Sequence, residues 1–131
     1  MKRNLIAAVI GLSTLILSQP VKADSDLSYK SVYQSIATSK SDDYRNQEFR
    51  VYVLKWLEQD RNYPYQVAMS FCDYRRSGLS TSQIFELRYG ELLQRKALEN
   101  WSEPRFKAYV KITSAGMVTG LKDYCPEFIN Y

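Results

Sequence analysis

The sequence predicts an all-α fold: a small helical bundle of about four helices with one disulfide, preceded by a signal peptide. Three observations carry this. Apolar side chains recur at spacings of three and four through most of the chain after residue 42, and neither sustained alternation nor an Asn-Gly or Asp-Gly hairpin turn interrupts them. Helix start and stop signals bound each apolar segment. Two cysteines, Cys72 and Cys125, fall near the ends of two of these segments.

The start of the chain has the form of an export signal. Lys2 and Arg3 precede an apolar run from Leu5 to Leu17, and Val21-Lys22-Ala23 supplies a small-x-small cleavage site. The run is short for a bilayer span, so cleavage after Ala23 is expected, with an uncleaved anchor as the alternative. The chain then divides into a signal peptide at 1–23, a polar segment at 24–42 and a disulfide-linked helical domain at 43–131. Secreted or periplasmic localisation follows. Within the polar segment, Tyr29, Val32, Tyr33, Ile36 and Ala37 fall at helical spacing and mark a short helix.

The helical domain reads in order. Phe49, Tyr52, Val53, Trp56 and Leu57 occupy one helical face, with Asp42 or Asp43 as the expected cap. That stripe places Trp56 in the core. Asn62-Tyr63-Pro64 stops this helix, and Pro64 suits the first turn of the next, where a missing N–H is harmless. The second helix carries Val67, Ala68, Phe71 and Cys72 and ends at Arg75-Arg76. Gly78 serves there as a left-handed cap, and the two arginines complement the helix dipole. Ser80-Thr81-Ser82-Gln83 has the S-x-x-Q form of a capping box. It opens a helix whose expected apolar face is Ile84, Phe85, Leu87, Leu92, Leu93, Ala97 and Leu98, with Gly90 as a bend. Trp101 follows at a junction, and Ser102 caps a last helix with Glu103 and Pro104 in its first turn. Its expected inward stripe is Phe106, Tyr109, Val110, Thr113, Met117, Leu121 and Tyr124, and Pro126 ends it. Gly116 and Gly120 inside that helix point to close backbone packing of another helix, because the segment is too polar for a membrane dimer motif.

Composition excludes more than it assigns. The chain has no histidine, which removes imidazole-dependent nucleophile activation. Two cysteines are too few for a zinc site, no phosphate-binding glycine loop or EF-hand spacing is present, and no cofactor is implied. Of 18 Lys+Arg, three lie in the signal, which leaves 15 against 14 Asp+Glu; nothing in this balance favours nucleic acid. The carboxylates that remain for glycan-cleaving chemistry are Glu58 with Asp60, Glu86 with Glu91, and Glu99 with Glu103. Each pair reads as surface charge rather than as an acid/base couple. All 11 tyrosines fall after Ala23 and offer either amphipathic contact area or the rim of a small core.

An unmotifed even pair of cysteines in an oxidising compartment is expected to be a structural disulfide, Cys72 to Cys125. The same residues carry a resemblance. Phe71-Cys72-x5-Gly78-x-Ser80, then Ala115, then Tyr124-Cys125-Pro126, resembles domain-of-unknown-function family 732, small exported helical proteins. The likeness spans roughly Tyr65 to Phe128, and Arg75 stands where the family has leucine. It implies a disulfide-linked helical bundle and no activity. The function expected is a non-enzymatic module contacting another protein or an envelope component, without stable membrane insertion after signal cleavage. The alternative is a small carboxylate-based hydrolase of envelope polysaccharide.

Overall fold

A computed structural model describes residues 24–129; the stretch 1–23, read from the sequence as a signal peptide, lies outside the described residues. Five α-helices form the bundle, and among the described residues there is no strand. Helix α1 covers residues 24–38, α2 Gln47–Gln59, α3 Tyr63–Arg76, α4 Thr81–Glu99 and α5 Glu103–Asp123. Short 3-10 turns at Asp42–Tyr44 and Pro126–Phe128 precede α2 and follow α5.

Local chemistry sets most boundaries. Ser80 accepts from the Gln83 N–H at 3.1 Å, and the Gln83 side chain accepts from the Ser80 N–H at 2.8 Å, which completes the capping box of α4. Ser102 accepts from the Arg105 N–H at 3.3 Å. Pro64 sits in the first turn of α3, and Gly78 closes α3 with φ +100°, a conformation glycine adopts without a Cβ penalty. The cap of α2 differs from expectation. Asn46, not Asp42 or Asp43, accepts from the Glu48 N–H at 2.9 Å. Both aspartates belong instead to a 3-10 turn capped by Ser41, which absorbs the residues between the helices.

Helix α5 is the axis of the bundle. Its buried residues include Ala108, Ile112, Gly116, Thr119 and Gly120 besides Phe106, Tyr109, Thr113 and Met117, so it is covered on several sides. Helix α3 lies closest. A Cβ on Gly120 would fall 2.6 Å from the Ala68 carbonyl oxygen, and one on Gly116 would fall 3.0 Å from Val67. The glycines thus let two backbones meet. The Cys72 and Cys125 sulfurs, 2.09 Å apart and fully buried, tie α3 to the chain just beyond α5. Arg76 reinforces that join by donating to the Tyr124 carbonyl at 2.9 Å and pairing with Glu127.

The segment expected to hold a short helix supplies a full member of the core. Tyr29, Val32 and Ile36 of α1 are buried, and Ser25, Ser28 and Ser31 hydrogen-bond to Asn62, Tyr124 and Thr119 respectively. Arg50 on α2 holds the other end of α1. It donates to the carbonyls of Ile36, Ala37, Ser39 and Tyr44, and so serves the last carbonyls of α1, which lack helical partners.

Three further sequence expectations are overturned. Only Ile84 and Leu92 of the α4 stripe are buried; Leu87, Leu93, Ala97 and Leu98 are exposed, Leu98 by 86%. The expected stripe spans too wide an arc for a helix that touches the bundle along one line. Trp56, expected in the core, does not reach it fully. Trp101 is 5% exposed, whereas Trp56 is half-buried at the edge of α2, whose inner line runs through Val53 and Leu57. No bend is needed at Gly90, where α4 continues as helix.

Candidate functional site

The apolar side of α5 that α3 does not take is covered by α4 only in part. Ser114, Met117, Val118 and Leu121 of α5 face Thr81, Ser82, Phe85 and Glu86 of α4 across an open groove of about 500 Å³, with Phe71 of α3 as its floor. The lining is mostly hydrocarbon. Val118 is 55% exposed in its middle. The disulfide lies at this end of the bundle: Phe71 adjoins Cys72 in sequence, and Leu121 lies four residues before Cys125.

A second depression of about 620 Å³ continues along the same helix pair towards the N-terminus of α5. Phe49, Tyr89, Phe106 and Val110 supply its aromatic and apolar surface, and Asp43, Glu103, Lys107 and Lys111 its charge. Val110 and Ser114 are one turn apart on α5, as are Phe85 and Tyr89 on α4, so the two depressions lie end to end.

Both carboxylates of this second half are already paired. Lys111 donates to Asp43, and Lys96 donates to Glu103. Those hydrogen bonds hold both carboxyls below their ordinary range. Glu99 is held low in the same way, by the Arg95 side chain first and then by the Trp101 indole N–H at 3.0 Å. Asp60 accepts from the Tyr109 hydroxyl at 3.0 Å, and Glu91 pairs with Arg88. Of the carboxylates considered from sequence, Glu103 and Glu86 therefore line the groove, in its two different halves. Glu58, Glu91, Glu99 and Asp60 line neither half. A glycosidase acid requires a carboxyl raised above its usual pKa. Asp43, Glu103 and Glu99 are shifted the opposite way.

The tyrosines do not form an exposed surface. Tyr29, Tyr44, Tyr63 and Tyr109 are buried, and among the described residues only Tyr89 is exposed. They cluster with arginine instead. The Arg105 guanidinium stands 4.0 Å from the Trp56 ring and 4.8 Å from Trp101, and Arg95 stands 4.8 Å from Trp101 and 5.2 Å from Tyr109. Burial pushes the Tyr109 hydroxyl up to about 12, helped by Asp60, and burial likewise pushes Tyr44 to about 12.

Among the described residues, no group of three or more His, Cys, Asp or Glu side chains is placed to hold a metal ion. No helix among them is long and apolar enough to cross a membrane. Comparison with known proteins yields no family model, curated protein or solved structure that matches the chain.

Proposed function

We propose that the protein is an exported, non-enzymatic module that holds an elongated apolar segment of a partner protein or envelope component in the groove between α4 and α5. One observation carries it: among the described residues the strip Phe85, Met117, Val118 and Leu121, floored by Phe71, stays open between two helices that cover one another only in part. Grooves of this kind accept one apolar face of a helix through anchors at i, i+3/i+4 and i+7. The hydrolase alternative has less support, because Asp43 and Glu103 are tied to lysines and held ionised. Export rests on the N-terminal signal pattern. Kinship with family 732 rests on Cys72, Gly78, Ser80 and Tyr124-Cys125-Pro126.

The test places a photo-crosslinking residue at position 118 of the exported protein in its host and a control at exposed Glu58 on α2. A defined adduct from position 118 and none from position 58 is expected. Equal labelling from both positions, or none from 118, would refute the groove as the binding site.

A further inference from the structure

The outward face of α4 is built unlike a solvated one. Ile84 and Leu92 point into the core. Gly90 lies on the opposite side of the helix, flanked one turn away by Leu87 and Leu93, which are 45% and 44% exposed. Glu86, Gln94 and Ala97 complete this face, and Leu98 extends it. Its charged side chains are Glu86 and, at the edge between Leu87 and Leu98, Glu91, which pairs with Arg88; no lysine or arginine interrupts the leucines.

Among the described residues, nothing in its own chain accounts for Gly90. Glycine in mid-helix is unfavourable relative to alanine. At Gly116 and Gly120 the reason is visible, because α3 occupies the space a Cβ would need. At Gly90 a Cβ would meet nothing within 4 Å. Elsewhere in this protein, then, helical glycines sit where another helix docks.

We propose that α4 packs against α4 of a second copy, antiparallel across a two-fold axis at Gly90. The face complements itself in that arrangement. The two glycines let the helix axes approach, Leu87 of one copy comes level with Leu93 of the other, and Glu86 comes level with the amide of Gln94. A parallel pairing would instead set Glu86 against Glu86. Such an isologous contact closes as a dimer. The nearly balanced charge after residue 23 does not oppose it. Helix α4 is about 28 Å long. A contact along it buries on the order of 1,000 Å² in total, the low end for specific interfaces, so a weak, reversible dimer in the micromolar range is the one to look for.

Sedimentation velocity of the exported, oxidised protein from about 1 to 500 µM tests this range. A reversible shift from monomer to dimer is expected. Gly90→Gln restores helix propensity, so at low concentration it should raise the melting temperature by about 2–5 °C while weakening the dimer tenfold or more. Leu93→Lys should weaken the dimer as strongly without that stabilisation. A monomer throughout the range would overturn the proposal and leave the α4 face to a helix of another protein. A dimer as tight in Gly90→Gln as in the wild type would overturn it equally.

Discussion

Glycine-to-alanine replacements at positions 90, 116 and 120 separate helix propensity from helix packing within one chain. In an unobstructed helix the change stabilises by about 1 kcal/mol. Gly90 offers open space, so Gly90→Ala should show this gain in full at micromolar concentration. At Gly120 the new methyl would lie 2.6 Å from the Ala68 oxygen and 3.0 Å from the Ala68 Cα, both backbone atoms, where ordinary contact begins at 3.4 Å. Helices α3 and α5 must then part by roughly 0.8 Å in a close-packed interior. The Cys72–Cys125 bridge resists that parting, since Cys72 Sγ itself lies 3.3 Å from the Gly120 oxygen. Overpacking of this kind costs about 1–3 kcal/mol, and the upper end applies because neither side is a flexible side chain. Net of the propensity gain, Gly120→Ala should lose about 1–2 kcal/mol. That corresponds to roughly 4–15 °C in melting temperature.

Gly116→Ala falls between. Its methyl would meet the Val67 Cβ and Cγ1 at 3.0 Å, and valine is stiff about χ1, so gain and loss should nearly cancel. Thermal and urea unfolding followed by circular dichroism should rank Gly90→Ala above the wild type, Gly116→Ala level with it and Gly120→Ala below. If Gly120→Ala proved as stable as Gly90→Ala, the backbones of α3 and α5 would not be in contact, and the central position of α5 would be wrong.

Reducing the disulfide should remove about 4 kcal/mol for a sequence separation of 53, on the order of 10–25 °C, while low-temperature helical dichroism persists. Free-thiol labelling of the denatured, unreduced protein should read zero; two labelled thiols would refute the bridge. Tyr44 and Tyr109 titrate near 12 in the folded chain and near 10 when unfolded. Their raised folded values mean that the stability they contribute is fully present below pH 10 and is lost as pH rises towards 12. Tyrosinate absorbance and helical dichroism measured on one alkaline titration should therefore change together in that window. Complete ionisation of all the tyrosines near pH 10 with the helix signal intact would contradict their burial.

Helix boundaries were legible in the sequence because the signals are local. Ser80 with Gln83, Ser102, Pro64 and Gly78 each act on their own turn of backbone. Burial was legible only for helices with one inner face. On α3, Val67, Ala68, Phe71 and Cys72 were read correctly. On α5 the apolar stripe was only part of the buried surface, since a helix covered on several sides uses Ala108, Gly116, Thr119 and Gly120 where neighbours come close. On α4 the difficulty was the reverse, because Leu87 and Leu93 are the same kind of residue as the buried Leu92 and only the bundle distinguishes them. The clamp made by Arg50 has no sequence signature, because its four acceptors are backbone carbonyls. Of the groove, Phe71, Phe85, Met117 and Leu121 had been assigned to the core. Exposed Val118, in its middle, carried no signal at all.

Val118 is also where a packing defect and a binding site can be told apart. A defect would be a place where the bundle closes imperfectly, and a charge placed there would harm the fold. A binding groove is finished as it stands, and its exposed residues contribute to a partner rather than to stability. Val118 touches solvent over half its surface, and Lys122 lies four residues on, the favourable spacing for an acidic residue on the N-terminal side. Val118→Glu should therefore leave the unfolding free energy within about 0.5 kcal/mol of the wild type, as for other surface changes. The same substitution places a charge in the centre of the apolar strip, and it should abolish the partner adduct formed by a crosslinker at the neighbouring groove position Ser114. A loss of more than about 1 kcal/mol would make Val118 a structural residue, and an unchanged adduct would move the contact away from the groove.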